Sequence, residues 1–361
     1  MHRLTTWVGI MILLTTGLSS VDTEARRDVR TPKQKERLAQ VQTIFLNAIA
    51  LTDRGQRPAD QLTELVSRRL REVGYTVVTS RDKPHDVMLK VKCEQRKIWQ
   101  GTTRSGGDAD LPDSPSRVWK GPACQLTYLL RGRNLGWRKE VRTDFVDAVK
   151  AAGKAKADDP GSYALGKLMQ RLEEYDFPVL LTADWRQEER LLKVLDAPSS
   201  SPARRVKIVS QLGEMFSAKA VPRLQAALKG SDLEVAKAAA IALGNIGHRE
   251  SITALVEMLN TDNLDLRAAA VRGLGKVGAL HGDVSIILPL LEALNTDDIT
   301  LKTEVVWALG QLPDERAHEP LLALQRSLRH LRTSDRDSKE GKLWDAVSYS
   351  LKQIDRYDQV N

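Results

Sequence analysis

The C-terminal half of the sequence repeats one pattern of hydrophobic positions. From residue 202 onward, helices rich in alanine and leucine reach a Leu-Gly pair, and each pair precedes a second apolar stripe at helical spacing. The pairs begin at Leu212, Leu243, Leu274 and Leu309, at intervals of 31, 31 and 35 residues. Because one helical hairpin cannot bury its own apolar face, we predict an all-α solenoid of about four stacked hairpins, with a capping helix over Leu343 to Ile354.

Polar turns and glycines mark the ends of the predicted repeat helices. The turns that contain Asp232, Asp262 and Asp297 place a good N-cap residue before each following helix. We expect the glycine of each Leu-Gly pair to end its helix in a left-handed conformation.

Two units have the same pattern, Asp232 to Gly247 and Asn263 to Gly278. In each unit an alanine-rich helical stretch is followed by the sequence Leu-Gly-x-apolar-Gly. This pattern resembles the HEAT-like repeats that also occur in phycobilisome lyases, and the resemblance covers about residues 202–329. It implies a curved surface that a partner protein binds. The motif is specific for the fold and says little about a reaction.

The N-terminal half alternates between helical and strand periodicity. Helical spacing covers residues 38–51, 59–73 and 163–175, and strand spacing covers 75–78, 86–99, 123–131, 137–145 and 177–181. We predict an α+β domain with helices on one face of an antiparallel sheet. The order of its first elements is similar to that of small α+β domains of bacterial envelope proteins.

The first residues have the pattern of an export signal. A basic start at Arg3 precedes an apolar run from Leu4 to Leu18 and then small residues, which is typical of a secretory signal peptide. The run is short for a membrane span, although an uncleaved anchor is the alternative. We therefore expect a periplasmic or secreted protein without a membrane span after cleavage. The predicted organisation is a signal peptide over 1–25, a basic domain over 26–196, a linker over 197–202 and a repeat domain over 203–361.

The two cysteines lie on the inward faces of two predicted strands. Cys93 alternates with Lys92 and Glu94, and Cys124 shares a face with Leu126. If these strands pair, both sulfur atoms enter the same core. Two buried thiols would also fit this pattern, but in an oxidising compartment we expect a disulfide.

Positive charge is concentrated in the N-terminal half. The chain has a net charge of +8, with +9 in residues 26–196 and zero in residues 197–361. The excess is either diffuse solvated charge or a site for an anionic partner. The sequence contains no nucleic-acid module, so we predict contact with an anionic envelope component. The hydrophobic fraction of 42% and charged fraction of 28% exclude wholesale disorder.

A long predicted loop, residues 100–122, joins the two cysteine-bearing strands. Trp99, Arg104, Arg117 and Trp119 lie in or beside it, and exposed aromatic and basic side chains would suit a carbohydrate or an acidic peptide. Alternatively, the tryptophans pack beneath the loop.

Motifs for catalysis or for a cofactor are incomplete. Gly273 to Gly278 has the letters of a dinucleotide fingerprint but follows a helix rather than a strand. His318-Glu319 is similar to the iron-binding pairs of a HEAT-like deoxyhypusine hydroxylase, which uses several such pairs where this chain has one. We therefore predict no catalytic residue, no cofactor and no metal site.

The sequence favours an exported, non-catalytic adaptor or scaffold. Its solenoid would bind a partner protein, with Arg223, Glu257 and Gln325 of the second helices as candidate contacts, and its basic domain would contact the anionic component. The alternatives are a lyase-like enzyme or enzyme subunit that grips a protein substrate with its repeats, and a ligand-binding module.

Overall fold

The computed structural model of the chain describes residues 30–103, 109–110, 117–312, 314–329 and 337–360. The predicted signal peptide over residues 1–25 lies outside these ranges. The N-terminal elements are α1 (Pro32–Ala39), β1 (Thr43–Thr52), β2 (Gly55–Arg57), α2 (Asp60–Glu72), β3 (Thr76–Val78), β4 (Val87–Thr103), β5 (Ala109–Asp110), β6 (Arg117–Leu130), β7 (Arg133–Arg142), α3 (Ala148–Lys154) and α4 (Pro160–Glu174).

The strands form a mixed sheet in the order β2-β1-β4-β6-β7, and β3 also pairs with β1. β1 runs parallel to β3 and β4, whereas β6 is antiparallel to its two neighbours, β4 and β7. The α+β class is therefore confirmed, but the expected all-antiparallel sheet is wrong. The amphipathic helices α2 and α4 contact the sheet, and their side chains Leu62, Val66, Leu168 and Leu172 are buried.

Three local expectations in this half are wrong. Residues 38–51 are the end of α1 followed by β1, and residues 177–181 belong to a helix instead of a strand. Residues 100–122 are not one loop, because β4 continues to Thr103 and β6 begins at Arg117. The two strands extend the sheet as a long hairpin.

The remaining elements are helical. They are α5 (Phe177–Asp184), α6 (Glu188–Asp196), α7 (Pro202–Glu214), α8 (Val221–Leu228), α9 (Leu233–Ile246), α10 (Ser251–Glu257), α11 (Leu264–His281), α12 (Ile287–Ala293), α13 (Ile299–Gln311), α14 (His318–Ser327) and α15 (Lys339–Val360). Helices α7 to α14 form four hairpins and α15 packs against α13 and α14, which confirms the predicted solenoid and its cap. We call α7, α9, α11 and α13 the first helices, and α8, α10, α12 and α14 the second helices.

Each first helix begins at a capped polar residue. The side chains of Ser201, Asp232, Asn263 and Asp298 accept a hydrogen bond from the backbone N–H three residues later. These bonds satisfy one of the free donors at each helix start. The polar turns therefore set where the repeats begin, as the sequence indicates.

The glycines of the Leu-Gly pairs lie inside the first helices rather than at their ends. Gly213, Gly244, Gly275 and Gly310 all fall within helical bounds, so the expectation that they terminate helices is wrong. The left-handed residues lie beyond the helix ends, at Phe216 after α7, at Gly247 after α9 with φ of +71°, and at Gly282 after α11. The paired glycines have a different role, which is close packing between helices.

The hydrophobic core continues from the sheet into the solenoid. Trp185, only 1% exposed, follows α5 and meets the rings of Tyr75 and Tyr128 edge-on at 5.5 and 5.4 Å. On the solenoid side, α5 and α6 contact α7. The buried residues from Leu38 to Ile354 thus form one cluster.

Candidate protein-interaction surface

The first helices approach one another closely because small residues face each other. A Cβ atom added to Gly244 would lie 2.6 Å from the Cα atom of Gly273, and one added to Gly213 would lie 2.8 Å from the Cα atom of Ala242. At Gly310 the neighbour is Ser350 of α15. The first helices and α15 therefore form one continuous layer of stacked helices.

One row of side chains runs along the accessible side of this layer. Its members occupy the position two residues before each leucine of the Leu-Gly pairs, and α15 supplies the last. We call these five residues the central row: Ser210, Ile241, Arg272, Trp307 and Tyr349. Ile241 is 39% exposed and Tyr349 is 48% exposed.

The C-terminal end of the central row is aromatic. The rings of Trp307 and Tyr349 lie 5.2 Å apart between centroids and tilt by 48°. Trp307 packs partly against the core, while Tyr349 is accessible to solvent. Large aromatic side chains held in place by packing are common anchors in protein interfaces.

Cationic side chains lie beside the aromatic pair. Arg272 donates to the Glu304 carboxylate at 2.7 Å across two first helices. Lys276, one turn further along α11, donates to the side-chain oxygen of Asn245 at 2.7 Å. Desolvation by the surrounding helices lowers the pKa of Lys276, and the nearby charge of Arg272 lowers it further.

The surroundings of Lys237 in α9 are acidic. Lys237 of α9 is 2.7 Å from Glu234 and 3.6 Å from Asp265, so two carboxylates face one ammonium group. These two carboxylates, chiefly Glu234, raise the pKa of Lys237. The layer therefore changes from an excess of negative charge around Lys237 to cationic and aromatic character near Arg272, Lys276 and Trp307.

The residues that the sequence singled out on the second helices connect neighbouring elements. Arg223 pairs with Asp196 at 2.8 Å, and Glu257 pairs with Lys229 at 2.7 Å. Gln325 donates to the Ser348 hydroxyl at 3.4 Å. Their proposed part in binding a partner stays a prediction. The central row was missed, although its fixed distance from each Leu-Gly pair is a signal that the sequence contains.

Three of the candidates near the predicted loop lie on paired strands. Trp99 pairs with Trp119 and Arg117 with Gly101 in the β4–β6 ladder, and Arg104 lies outside the described residues. Binding of a carbohydrate or an acidic peptide there stays a prediction.

The two cysteines form a disulfide, as predicted. Cys93 and Cys124 stand directly opposite each other on β4 and β6, and both are at most 1% exposed. The bond therefore links two neighbouring strands inside the core of the sheet domain.

A pocket of about 590 Å³ lies at the junction of the two halves. Several of its charged groups have partners within the chain: Glu189 pairs with Lys219 at 3.1 Å, and Arg190 donates to the backbone oxygen of Val73 at 3.1 Å. Arg190 also lies 4.1 Å from the centroid of the Tyr75 ring. The Arg190 contacts hold the start of α6 against the sheet domain, and the Glu189–Lys219 pair links it to the segment before α8.

Within the described ranges, no group of three or more histidine, cysteine or acidic side chains could hold a metal ion. His318 of the single His-Glu pair lies 3.2 Å from Asp355 of α15, across the cap of the solenoid. In the part of the chain that the structure covers, no helix has the length and apolar character to cross a membrane.

Two family models match the chain, and both match in the C-terminal half. Residues 188–275 match HEAT repeats, and residues 301–327 match the PBS lyase HEAT-like repeat. These matches support the resemblance to HEAT-like repeats that the sequence pattern indicates. The first match begins at α6, before the predicted linker. No curated protein matches the chain.

Several solved structures are similar to the chain at low identity. One engineered protein is 21% identical, covering 50% of this chain and 84% of its own, with a TM-score of 0.37. Another is 21% identical, covering 59% and 100%, with a TM-score of 0.38. Human deoxyhypusine hydroxylase in complex with glycerol is 15% identical, covering 58% and 88%, with a TM-score of 0.26. Likeness at this level says nothing about function.

Proposed function

We propose that this protein is an exported, non-catalytic scaffold that binds a partner protein through its HEAT-like solenoid. The observation that carries the proposal is the central row, which presents Ile241, Arg272, Trp307 and Tyr349 along one side of the stacked first helices. Arginine and aromatic residues are enriched among the residues that dominate binding energy in interfaces. HEAT-like repeats commonly mediate protein interactions, which supports the same function.

Export to the periplasm or the medium is part of the proposal. It is supported by the apolar N-terminal run in the sequence and by the buried Cys93–Cys124 disulfide, which is typical of oxidising compartments. Contact of the sheet domain with an anionic envelope component is supported by the net charge of +9 in residues 26–196.

Site-specific photocrosslinking in intact cells tests the scaffold function. A photoreactive amino acid replaces Ile241 in the central row, and a matched control replaces the exposed Glu292 on the second helix α12. We expect discrete crosslinked proteins at Ile241 and far fewer at Glu292. Equal capture at both positions would place the binding surface elsewhere, and no capture at either would contradict the scaffold function.

Cell fractionation tests the export. We expect the protein in the extracytoplasmic fraction, with both cysteines protected from thiol alkylation until a reductant is added. A cytoplasmic protein with free thiols would contradict this part of the proposal.

A further inference from the structure

We propose that the C-terminal end of the central row binds an acidic segment of the partner protein that also carries a bulky apolar side chain. The contact residues are Lys276 and Arg272 for the carboxylate, and Trp307 and Tyr349 for the apolar side chain. This inference rests on the proposed scaffold function and specifies the chemistry of the partner.

The first step is the local charge imbalance. Arg272 has one carboxylate partner, Glu304, at 2.7 Å. Lys276 is near Arg272 and donates to the uncharged Asn245 side chain. Two cations therefore share one carboxylate at this place. By contrast, Lys237 one repeat earlier has two acidic neighbours.

The second step is the partial desolvation of the Lys276 ammonium group. Lys276 is exposed and therefore accessible to a partner, and neighbouring helices partly desolvate its charge. A partly desolvated cation gains more from a carboxylate than one in bulk water. A carboxylate that approaches from the partner would supply the missing counter-charge. The site therefore selects acidic over neutral or basic segments.

The third step is the adjacent aromatic surface. Trp307 occupies the position in α13 that Arg272 occupies in α11, and Tyr349 follows in α15. Neighbouring packed helices lie about 8–10 Å apart. An extended chain rises about 3.3 Å per residue, so a carboxylate and an apolar side chain roughly three residues apart would reach both places.

The junction pocket and the disulfide do not combine accessible aromatic side chains with an unbalanced charge. In the junction pocket, Glu189 pairs with Lys219 of the solenoid and Arg190 donates to the backbone oxygen of Val73. The disulfide is buried and links two strands. The end of the central row combines accessibility, aromatic rings and an unbalanced positive charge.

The test begins with a photoreactive amino acid at Gln311, which lies next to α11. The crosslinked segment of the partner is mapped by mass spectrometry after capture in intact cells. We expect an excess of Asp and Glu over Lys and Arg in the ten residues around the crosslink. If the crosslinked segment is neutral or basic, the inference is overturned while the scaffold function stands. The same holds if crosslinking captures a partner at Ile241 and not at Gln311. Capture at neither position contradicts the scaffold function itself.

A synthetic, fluorescein-labelled copy of the mapped segment then serves as the probe in anisotropy titrations with the full-length protein. We expect Lys276→Gln and Tyr349→Ser each to weaken binding roughly tenfold. The control Arg326→Gln removes a positive charge from the exposed side of the second helix α14 and should change binding less than twofold. Equal effects of Lys276→Gln and Arg326→Gln overturn the inference, because binding would then follow net charge alone.

Discussion

At the scale of single residues, glycines set the distance between the first helices. The Cβ atom that alanine would add at Gly244 meets backbone, the Cα atom of Gly273 at 2.6 Å. Backbone cannot rotate away as a flexible side chain can, so the two helices would have to separate. The close packing of the repeats thus depends on the absence of a single methyl group.

We expect Gly244→Ala to lower the free energy of unfolding by about 1–3 kcal/mol. The higher helix propensity of alanine, worth about 1 kcal/mol, offsets only part of the clash. The control is Gly166→Ala in α4, where an added Cβ atom meets nothing within 4 Å, so that variant should be neutral or slightly more stable. Urea denaturation measures both. Equal stability of the two variants would contradict the packing role of Gly244.

The sequence identified these glycines but gave them the wrong role. A glycine after an apolar helical run is compatible with a helix end and with a close helix contact, and the spacing alone does not separate the two. The next helix decides, because Gly244 faces Gly273 and Gly213 faces Ala242, 29 residues further along in each case. Contacts at that separation are not visible in a local pattern.

Asp283 is a residue whose charge joins two repeats. Its carboxylate accepts from the Ser285 hydroxyl at 2.6 Å and from the Arg249 guanidinium at 2.9 Å, and the residue is 8% exposed. The Ser285 hydrogen bonds and, to a smaller degree, Arg249 lower the pKa of Asp283 below its ordinary value of 3.8. The folded protein therefore favours the charged form more than the unfolded chain does.

We expect Asp283→Asn to lower the free energy of unfolding by about 1–2 kcal/mol at pH 7. Because the folded pKa is depressed, the contribution of the wild-type carboxylate is complete above pH 3.8 and disappears as the pH falls through the folded value. The two proteins should therefore converge in stability in chemical denaturation as the pH falls below the depressed pKa of Asp283. Asp345→Asn on the exposed side of α15 is the control, and a difference that persists in acid would contradict the role of the charge.

At the scale of elements, the sequence predicted the helices that expose one side. It did not predict the elements that are buried on both faces. The repeat helices expose one side, so their apolar spacing identifies them. β1 lies between other strands, and Ile44, Phe45 and Leu46 are all buried, so the alternation typical of a strand is lost. α5 is buried on nearly all sides, and its short apolar run resembles a strand for the same reason.

Gln187 lies at the N-cap position of α6. Its hydrogen bonds hold this helix against the sheet domain. Its side-chain nitrogen donates to the backbone oxygens of Leu38 and Val41 at 2.9 and 3.0 Å. Its side-chain oxygen accepts from Arg190 at 2.7 Å and from the Tyr75 hydroxyl at 3.2 Å. One side chain thus satisfies polar groups from α1, α6 and the start of β3.

We expect Gln187→Leu to lower the free energy of unfolding by about 2–4 kcal/mol, because buried polar groups lose their partner and remain shielded from water. The control Gln170→Leu, on the exposed side of α4, should change stability by less than about 0.5 kcal/mol. Thermal and urea unfolding measure both variants. A Gln187→Leu protein as stable as the control would show that the network is dispensable.

At the scale of the whole molecule, the sequence predicted the repeats and the disulfide. It did not predict the packed junction between the two halves or the central row. The repeats and the strand pair are defined by periodicity, which is local. The junction depends on ion pairs between distant parts of the chain, such as those of Arg204 with Glu72 and Asp176, both at 3.0 Å. The central row is defined by which helix side remains uncovered after stacking.

The continuous core predicts that the sheet domain and the solenoid unfold together. Trp185 and the apolar side chains of α5 and α6 belong to the same buried cluster as the repeat helices, so loss of either half would expose them. Removal of the disulfide, which closes a separation of 31 residues, should cost about 3–4 kcal/mol. In a coupled molecule that cost lowers the stability of both halves.

The double variant Cys93→Ala/Cys124→Ala tests this coupling. We expect the slowest-exchanging amides of β4 and of α9 to lose protection by the same free energy in hydrogen-exchange mass spectrometry, because both exchange through the same global opening. The Gly166→Ala variant, with its open surroundings in α4, controls for substitution in the sheet domain. If β4 loses protection and α9 does not, the two halves unfold independently and the shared core does not couple them.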